Sequence, residues 1–219
     1  MHELAPRRRT AMMSQSLATV WLRGAGHLRS LNRRADLMGM AAPAFFTAEM
    51  VRALPNDGKR YETVHGELLM TPSPRVIHQL VQARLFQALA NWLAAHPVGV
   101  VLSAPADISW SPDILVQPDL FVALADELRS QRWSDVRALI IAVEILSPST
   151  TRQDRFTKRR LYQEVGVPVS WFVDCDERYV EVWTPATIFP VLERETIVWH
   201  PIGAPEPCTI QLDQIFKSL

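Results

Sequence analysis

The stretch Leu139–Leu146 reads LIIAVEIL, eight residues that are apolar throughout except for Glu144. Leu139 to Val143 suit the middle of a buried sheet, where branched apolar side chains pack well on a pleated surface. That commits the chain to a core organised around this strand. It also raises a problem, because an ionised carboxylate at such a position is costly unless a cation meets it. Whatever the chain folds into has to bring a positive charge to Glu144.

Helical and strand periods alternate along the rest of the sequence. TAEMVRALP predicts a short helix capped by Thr47 and stopped near Pro55. RYETVHGELLM predicts two short strands around a His65-Gly66 turn. From Ile77 to Leu93, apolar residues recur at helical spacing, opened by Pro74 and closed before Pro97. Strands are predicted over Val98–Ser109 and Val116–Ala123, then a short helix or loop over Asp126–Arg137. After Leu146 come a turn over Ser147–Gln153 and a helix over Arg155–Val165, ended by Gly166 and Pro168. Val169–Val173 and Tyr179–Thr184 form a hairpin around DCDER, and a helical turn near LDQIFKSL closes the chain. One mixed α/β (α+β) domain accounts for residues 41–219.

Composition narrows the function classes. At 48% hydrophobic and 21% charged residues, the 219-residue chain can bury a sizeable core as a soluble globular protein. Its formal net charge is zero, so no global basic field advertises nucleic acid, although a local groove can still be basic. No apolar run is long enough to span a membrane. Cys175 and Cys208 make neither a CxxC pair nor a zinc spacing. Two isolated cysteines fit a reducing, cytoplasmic setting without a bridge. The charge is unevenly spread: residues 1–37 hold seven arginines against Glu3 and Asp36, about +5, which leaves about −5 for the remainder. Residues 1–40 are read as a basic extension, disordered: a targeting peptide, a basic arm, or an overextended start with Met38 or Met40 as the true beginning.

Asp119, in VQPDLFV, is a second carboxylate inside an otherwise apolar strand. Both acids fall toward the C-terminal half of their predicted strands, and ligands of open α/β sheets collect at strand ends. If the two strands are neighbours, the acids share one site. There they repel and raise each other's pKa unless a cation joins them. A hard divalent cation such as Mg²⁺ is the usual partner of such oxygen ligands. In the following helix, Lys158, Leu161, Tyr162 and Val165 fall at i, i+3, i+4 and i+7. This places Lys158 on the apolar stripe, where lysine is unusual, while Arg155, Arg159 and Gln163 point elsewhere. A strand, a turn and one helical turn bring the Lys158 ammonium back toward Glu144. Two readings stay open: a metal site, or a buried structural ion pair that needs no metal.

The segments RYETVHGELLMTPSPRVIHQ, VQPDLFV, VEILSPSTTRQDRFTKRRLYQEVGVPVSWFVD and VEVW together resemble the Uma-two family of restriction endonucleases. The resemblance covers residues 43–219, most specifically Glu144–Asp174, and gives the basic leader no counterpart. That family is similar to the PD-(D/E)XK nuclease superfamily. The resemblance implies a restriction-endonuclease-like fold, a mixed central sheet flanked by helices, with the active site on two adjacent strands. It matches Pro118-Asp119 to the "PD" and Glu144 to the acid of "(D/E)XK". The lysine of that motif would be residue 146, which here is Leu146. In the family the basic residue has moved to the following helix, at the position of Lys158, the residue that helical periodicity also selects. Glu67, in HGE, is implied as a further acid approaching the metal. His78 stands where the family has a histidine, in a supporting role or a hydrogen-bonded structural one. Asp154 resembles the family's "DR" and is read as a helix cap with Thr151 rather than as a ligand.

Taken over to this chain, the resemblance implies a metal-dependent endonuclease that hydrolyses phosphodiester bonds in DNA. Asp119, Glu144 and the backbone carbonyl near Ile145 would hold Mg²⁺, or Mn²⁺ in its place. Lys158 would orient water or stabilise the transition state. A homodimer would present two such sites to the two strands of a duplex. The rival is a nuclease-like fold kept as a binding or scaffold module without turnover, which the neutral net charge and the missing motif lysine support. Nothing in the residues separates DNA from RNA.

Overall fold

The computed structural model describes residues 45–71, 73–146 and 152–218. The basic leader, Thr151 and the turn that precedes it lie outside the described residues. The elements are α1 (Ala48–Arg52), β1 (Arg60–Val64), β2 (Glu67–Thr71), α2 (Val76–Ala95), β3 (Val100–Ser103), β4 (Leu120–Ala123), α3 (Ala125–Leu128), β5 (Leu139–Leu146), α4 (Arg152–Glu164), β6 (Ser170–Asp174), β7 (Tyr179–Trp183), β8 (Val191–Glu193), β9 (Thr196–Trp199), β10 (Cys208–Gln211) and α5 (Leu212–Phe216). Six strands form the main sheet in the order β3-β4-β5-β6-β7-β8. Its neighbours are antiparallel except β5 and β6, which run parallel and therefore need the α4 crossover between them. The mixed central sheet flanked by helices agrees with the expected class.

Strand alternation divides the apolar side chains between two cores. Leu120 and Val122 of β4, with Ile141 and Val143 of β5, pack on the α2 side against fully buried Val81, Leu85 and Leu89. Truncating Leu85 or Leu89 to Ala would cost about 2–5 kcal/mol. On the other face, Phe121, Ala142 and Phe172 pack against Leu161 and Tyr162 of α4. Asp119 is two residues before Phe121, and Glu144 two after Ala142, so period two sends both acids to the α4 side of the sheet.

Two predicted strands are shorter than their apolar runs suggest. Val98–Ser109 contracts to β3, because Pro105 lacks the N–H that a ladder needs. Val116–Ala123 contracts to β4 for the same reason at Pro118; Val116 instead makes an isolated bridge with Ile108. Asp119 therefore stands just ahead of β4, not in the C-terminal half of a strand. The antiparallel register restores the expected meeting: Leu120 pairs with Val143, so the start of β4 lies beside the end of β5, where Glu144 stands. At the next element, α4 starts at Arg152, inside the predicted turn.

The β1–β2 hairpin turns through His65 and Gly66, at φ 49° and 81°, the two positive values that a tight two-residue turn requires. A Cβ on Gly66 would lie 2.2 Å from the Phe45 ring. Reciprocal 2.8 Å hydrogen bonds between Thr63 and Leu115 tie β1 to the segment ahead of β4. Cys175 and Cys208 are both buried free thiols. Among the described residues no helix is long and apolar enough to cross a membrane.

Candidate active site

Asp119 and Glu144 line one small cavity, of about 30 Å³, together with Lys158. Asp119 is 3% exposed and has a partner on each oxygen: Oδ1 accepts from Arg60 Nη2 at 3.0 Å, and Oδ2 accepts from the Ile145 amide at 2.8 Å. His78 Nε2 lies 3.2 Å from the same Oδ2. Gln82 donates to the Asp119 carbonyl at 2.9 Å, which locks α2 onto the start of β4. The Ile145 amide bond couples the two acids mechanically, since it joins the residue after Glu144 to the Asp119 carboxylate.

Glu144 meets the cation that its strand demanded. Lys158 Nζ, on the buried stripe of α4, donates to both carboxylate oxygens at 3.1 Å. The Tyr162 hydroxyl, one helical turn on, donates to Oε1 at 2.5 Å. Lys158 has a second carboxylate partner, Glu62 of β1, at 2.8 Å. Glu62 Oε2 receives no well-aligned hydrogen bond, yet at that distance the contact is an ion pair. Its other oxygen accepts the Gln117 amide at 2.5 Å. One ammonium thus serves two buried acids.

Burial drives the electrostatics. It raises the Glu144 carboxyl to about 7, and repulsion from Asp119 and Glu62 adds to that against the pull of Lys158. For Asp119 burial works upward too, but His78, Arg60 and the Ile145 amide outweigh it and hold the group at about 2. Burial alone would lower Lys158; Glu144 and Glu62 reverse this and keep it above the ordinary lysine value. With two acids sharing one ammonium, the repulsion falls on the carboxylates, and Glu144 is the group pushed up. Burial and Glu144 keep the Tyr162 phenol protonated, well above its usual value.

The family described as "Uma2: Putative restriction endonuclease" matches residues 48–201. The chain belongs to this family. Among solved structures it is similar to one described as a "putative nuclease belonging to DUF820" from Anabaena variabilis ATCC 29413. The two share 18% identity at a TM-score of 0.65, over 78% of this chain and 97% of the other. At that identity the likeness is one of fold. No curated protein matches the chain.

Within this Uma2 chain, Asp119, Glu144, Lys158 and His78 converge, while the other site expectations fare differently. Glu67 is exposed at the turn end of β2, opposite Val64 and outside the cavity. The acid that β1–β2 contributes is Glu62, which alternation could have found: Arg60, Glu62 and Val64 share one strand face, and Val64 is buried. Arg60 and Tyr162 were missed as partners because each reaches an acid far away in the chain. The side chain of Asp154 lies outside the described residues. Arg155, off the apolar stripe, pairs through its guanidinium with buried Glu181 of β7, which also accepts from Trp183 Nε1 at 3.1 Å. Arg155 lines the same cavity as Lys158.

The donor set decides whether a divalent ion suits this place. Among the described residues no three His, Cys, Asp or Glu side chains converge as a ligand cluster. Mg²⁺ does not require one, because it keeps several waters and uses one or two carboxylates. Asp119 and Glu144 are hard oxygen donors facing one cavity from adjacent chain segments, and each carboxylate keeps acceptor capacity beyond its present bonds. The residues fit.

Proposed function

We propose that the protein is a Mg²⁺-dependent endonuclease that hydrolyses phosphodiester bonds in DNA. The observation that carries this reading is the meeting of Asp119, Glu144 and Lys158 in one buried cavity, in a chain of the Uma2 family. Asp119, Glu144 and the Ile145 carbonyl would hold Mg²⁺, or Mn²⁺ in its place. When bound, the ion supplies an activated water and neutralises charge developing on the phosphate. Lys158 presents a charged N–H group in a site screened from water, where one fixed donor counts for more than it would in solution. Glu62 acts through Lys158, holding the ammonium at the mouth of the acid pair. Arg60 and His78 fix the Asp119 carboxylate, and Tyr162 fixes that of Glu144. Cleavage of both strands would call on a homodimer, which sedimentation at assay concentration reads directly.

Glu144→Gln keeps the shape of the site and removes its charge. Metal-dependent nicking of plasmid DNA should disappear in this variant while its circular dichroism stays unchanged. Full residual cleavage would eliminate the proposed site. One observation favours a non-catalytic scaffold: Arg60, Lys158 and Tyr162 take up acceptor positions of the two carboxylates. Calorimetric titration with Mg²⁺ separates the two, since the scaffold reading expects no heat that Asp119→Asn removes. Parallel DNA and RNA substrates resolve the sugar.

A further inference from the structure

Beside the acid site lies a cavity of about 920 Å³ that the proposed chemistry does not use. The two spaces adjoin, since Arg60, His78 and Asp119 line both. Helix α2 presents Gln79, Gln82 and Phe86 to the larger one, at i, i+3 and i+7, which is a single helical face. The segment between α1 and β1 adds Asn56 and Lys59 to the lining.

This lining has an unusual mixture. Phe86 is a large apolar ring left 37% exposed there. The side-chain amides of Gln79 and Asn56 have no hydrogen-bond partner among the described residues. Lys59 and Arg52 bring positive charge, each paired with one carboxylate, Lys59 with exposed Asp57 at 3.5 Å and Arg52 with half-buried Asp107 of the same lining at 3.3 Å. Exposed pairs of that kind are weak and yield easily to another anion. A π face, free amides and available cations are the three things that a nucleotide asks for: a ring for its base, donors and acceptors for its base edge, charge for its phosphate. The volume falls within the range of ordinary ligand pockets, roughly 300–1,000 Å³, which suits a splayed nucleotide and not a base-paired duplex.

We infer that this cavity seats an unpaired nucleotide beside the phosphodiester to be cut, with its base on Phe86 and its edge toward Gln79 and Asn56. The inference rests on the nuclease reading of the adjoining acids and sharpens it: the preferred substrate carries an unpaired stretch of DNA at the cleavage point.

The test is fluorescence anisotropy with the full chain in EDTA, using a short labelled DNA strand and the blunt duplex of the same sequence. The single strand should bind at least about tenfold more tightly than the duplex. Phe86→Ala should weaken single-strand binding roughly tenfold, the size of one lost base stack, with the loss persisting at raised salt. Gln79→Ala should even out affinities among strands of different base composition. Gln79 is exposed, so its variant should leave the Tm unchanged; Phe86 is largely covered and its truncation lowers the Tm, so Phe86→Leu, which keeps most of the apolar volume and still removes the ring, serves as the folded control. Equal or tighter duplex binding overturns the assignment, as does unchanged single-strand affinity in both variants. Because EDTA prevents cleavage, a separate Mg²⁺ cleavage assay judges the nuclease reading. Strand binding without any cleavage would sink that reading and keep the cavity assignment; cleavage with duplex preference would do the reverse.

Discussion

Without a divalent ion, replacing Glu144 by Gln should stabilise the protein above neutral pH. Burial lifts this carboxyl from 4.5 to about 7. A shift of one unit corresponds to about 1.4 kcal/mol, so an ionised Glu144 costs the fold up to about 3 kcal/mol. The sign follows from proton counting. Below pH 4.5 both folded and unfolded chains hold the proton and nothing is lost. Between 4.5 and about 7 the native state keeps a proton that the unfolded chain has released, so stability falls as pH rises. Above that window the cost is complete. Gln is neutral throughout and has no such slope. The exchange does not strand the ammonium, because Lys158 retains Glu62 at 2.8 Å. Urea unfolding in EDTA from pH 5 to pH 8 measures the difference. The two proteins should nearly coincide at the acid end and separate by about 1–3 kcal/mol in favour of the variant at the alkaline end, a midpoint shift of about 1 M. Parallel curves, or a less stable variant at pH 8, would show that the acid sits comfortably and that this reasoning is wrong.

Lys158→Met should be destabilising by about 3–5 kcal/mol, since it leaves Glu62 and Glu144 buried without their shared cation. Thermal unfolding should recover part of that loss at pH 5, where Glu144 takes up a proton; an unchanged Tm at pH 8 would mean that the network contributes nothing net. Gly66→Ala should cost at least about 1 kcal/mol, because a side chain there is strained at φ 81°. Phe45→Ala in the same chain should return only the steric part, since the new Cβ meets that ring; full recovery in a denaturation assay would remove the backbone argument.

The sheet and its helices were legible because their signals are local. The stripe of α2 and the apolar run of β5 each carry their period within one element. Lys158 was legible for the same reason: a lysine at i with Leu161 and Tyr162 at i+3 and i+4 violates its own helix face. Strand ends were less legible, because Val116 is as apolar as Val122, yet it lies beyond Pro118, which has no N–H for the ladder, and bridges Ile108 instead. The acid that the first hairpin brings to Lys158 is Glu62, which sits inside an unremarkable RYETV, whereas the resemblance points to Glu67, exposed at the turn. Nothing in Arg60, Tyr162 or Glu181 announces a partner, because each meets its counterpart only after the sheet has assembled.

The charge count of the network argues for a use beyond structure. Among the described residues, Asp119, Glu144 and Glu62 bring three carboxylates whose permanent cationic partners are two, Arg60 and Lys158, beside the self-balanced Arg155–Glu181 pair. A purely structural core gains little from such an arrangement, since well-packed apolar residues commonly do as well or better. Here the fold keeps an excess of buried negative charge and holds it in register by antiparallel pairing of β4 with β5, by the Ile145 amide and by the α4 crossover. An excess of that sign is what a divalent cation relieves. The same burial that makes Glu144 expensive in the free protein makes it a strong ligand once an ion replaces its proton. Stability lost in EDTA and affinity gained for Mg²⁺ should therefore be two measurements of one electrostatic imbalance. A variant that removes the first without weakening the second would separate them and refute the link.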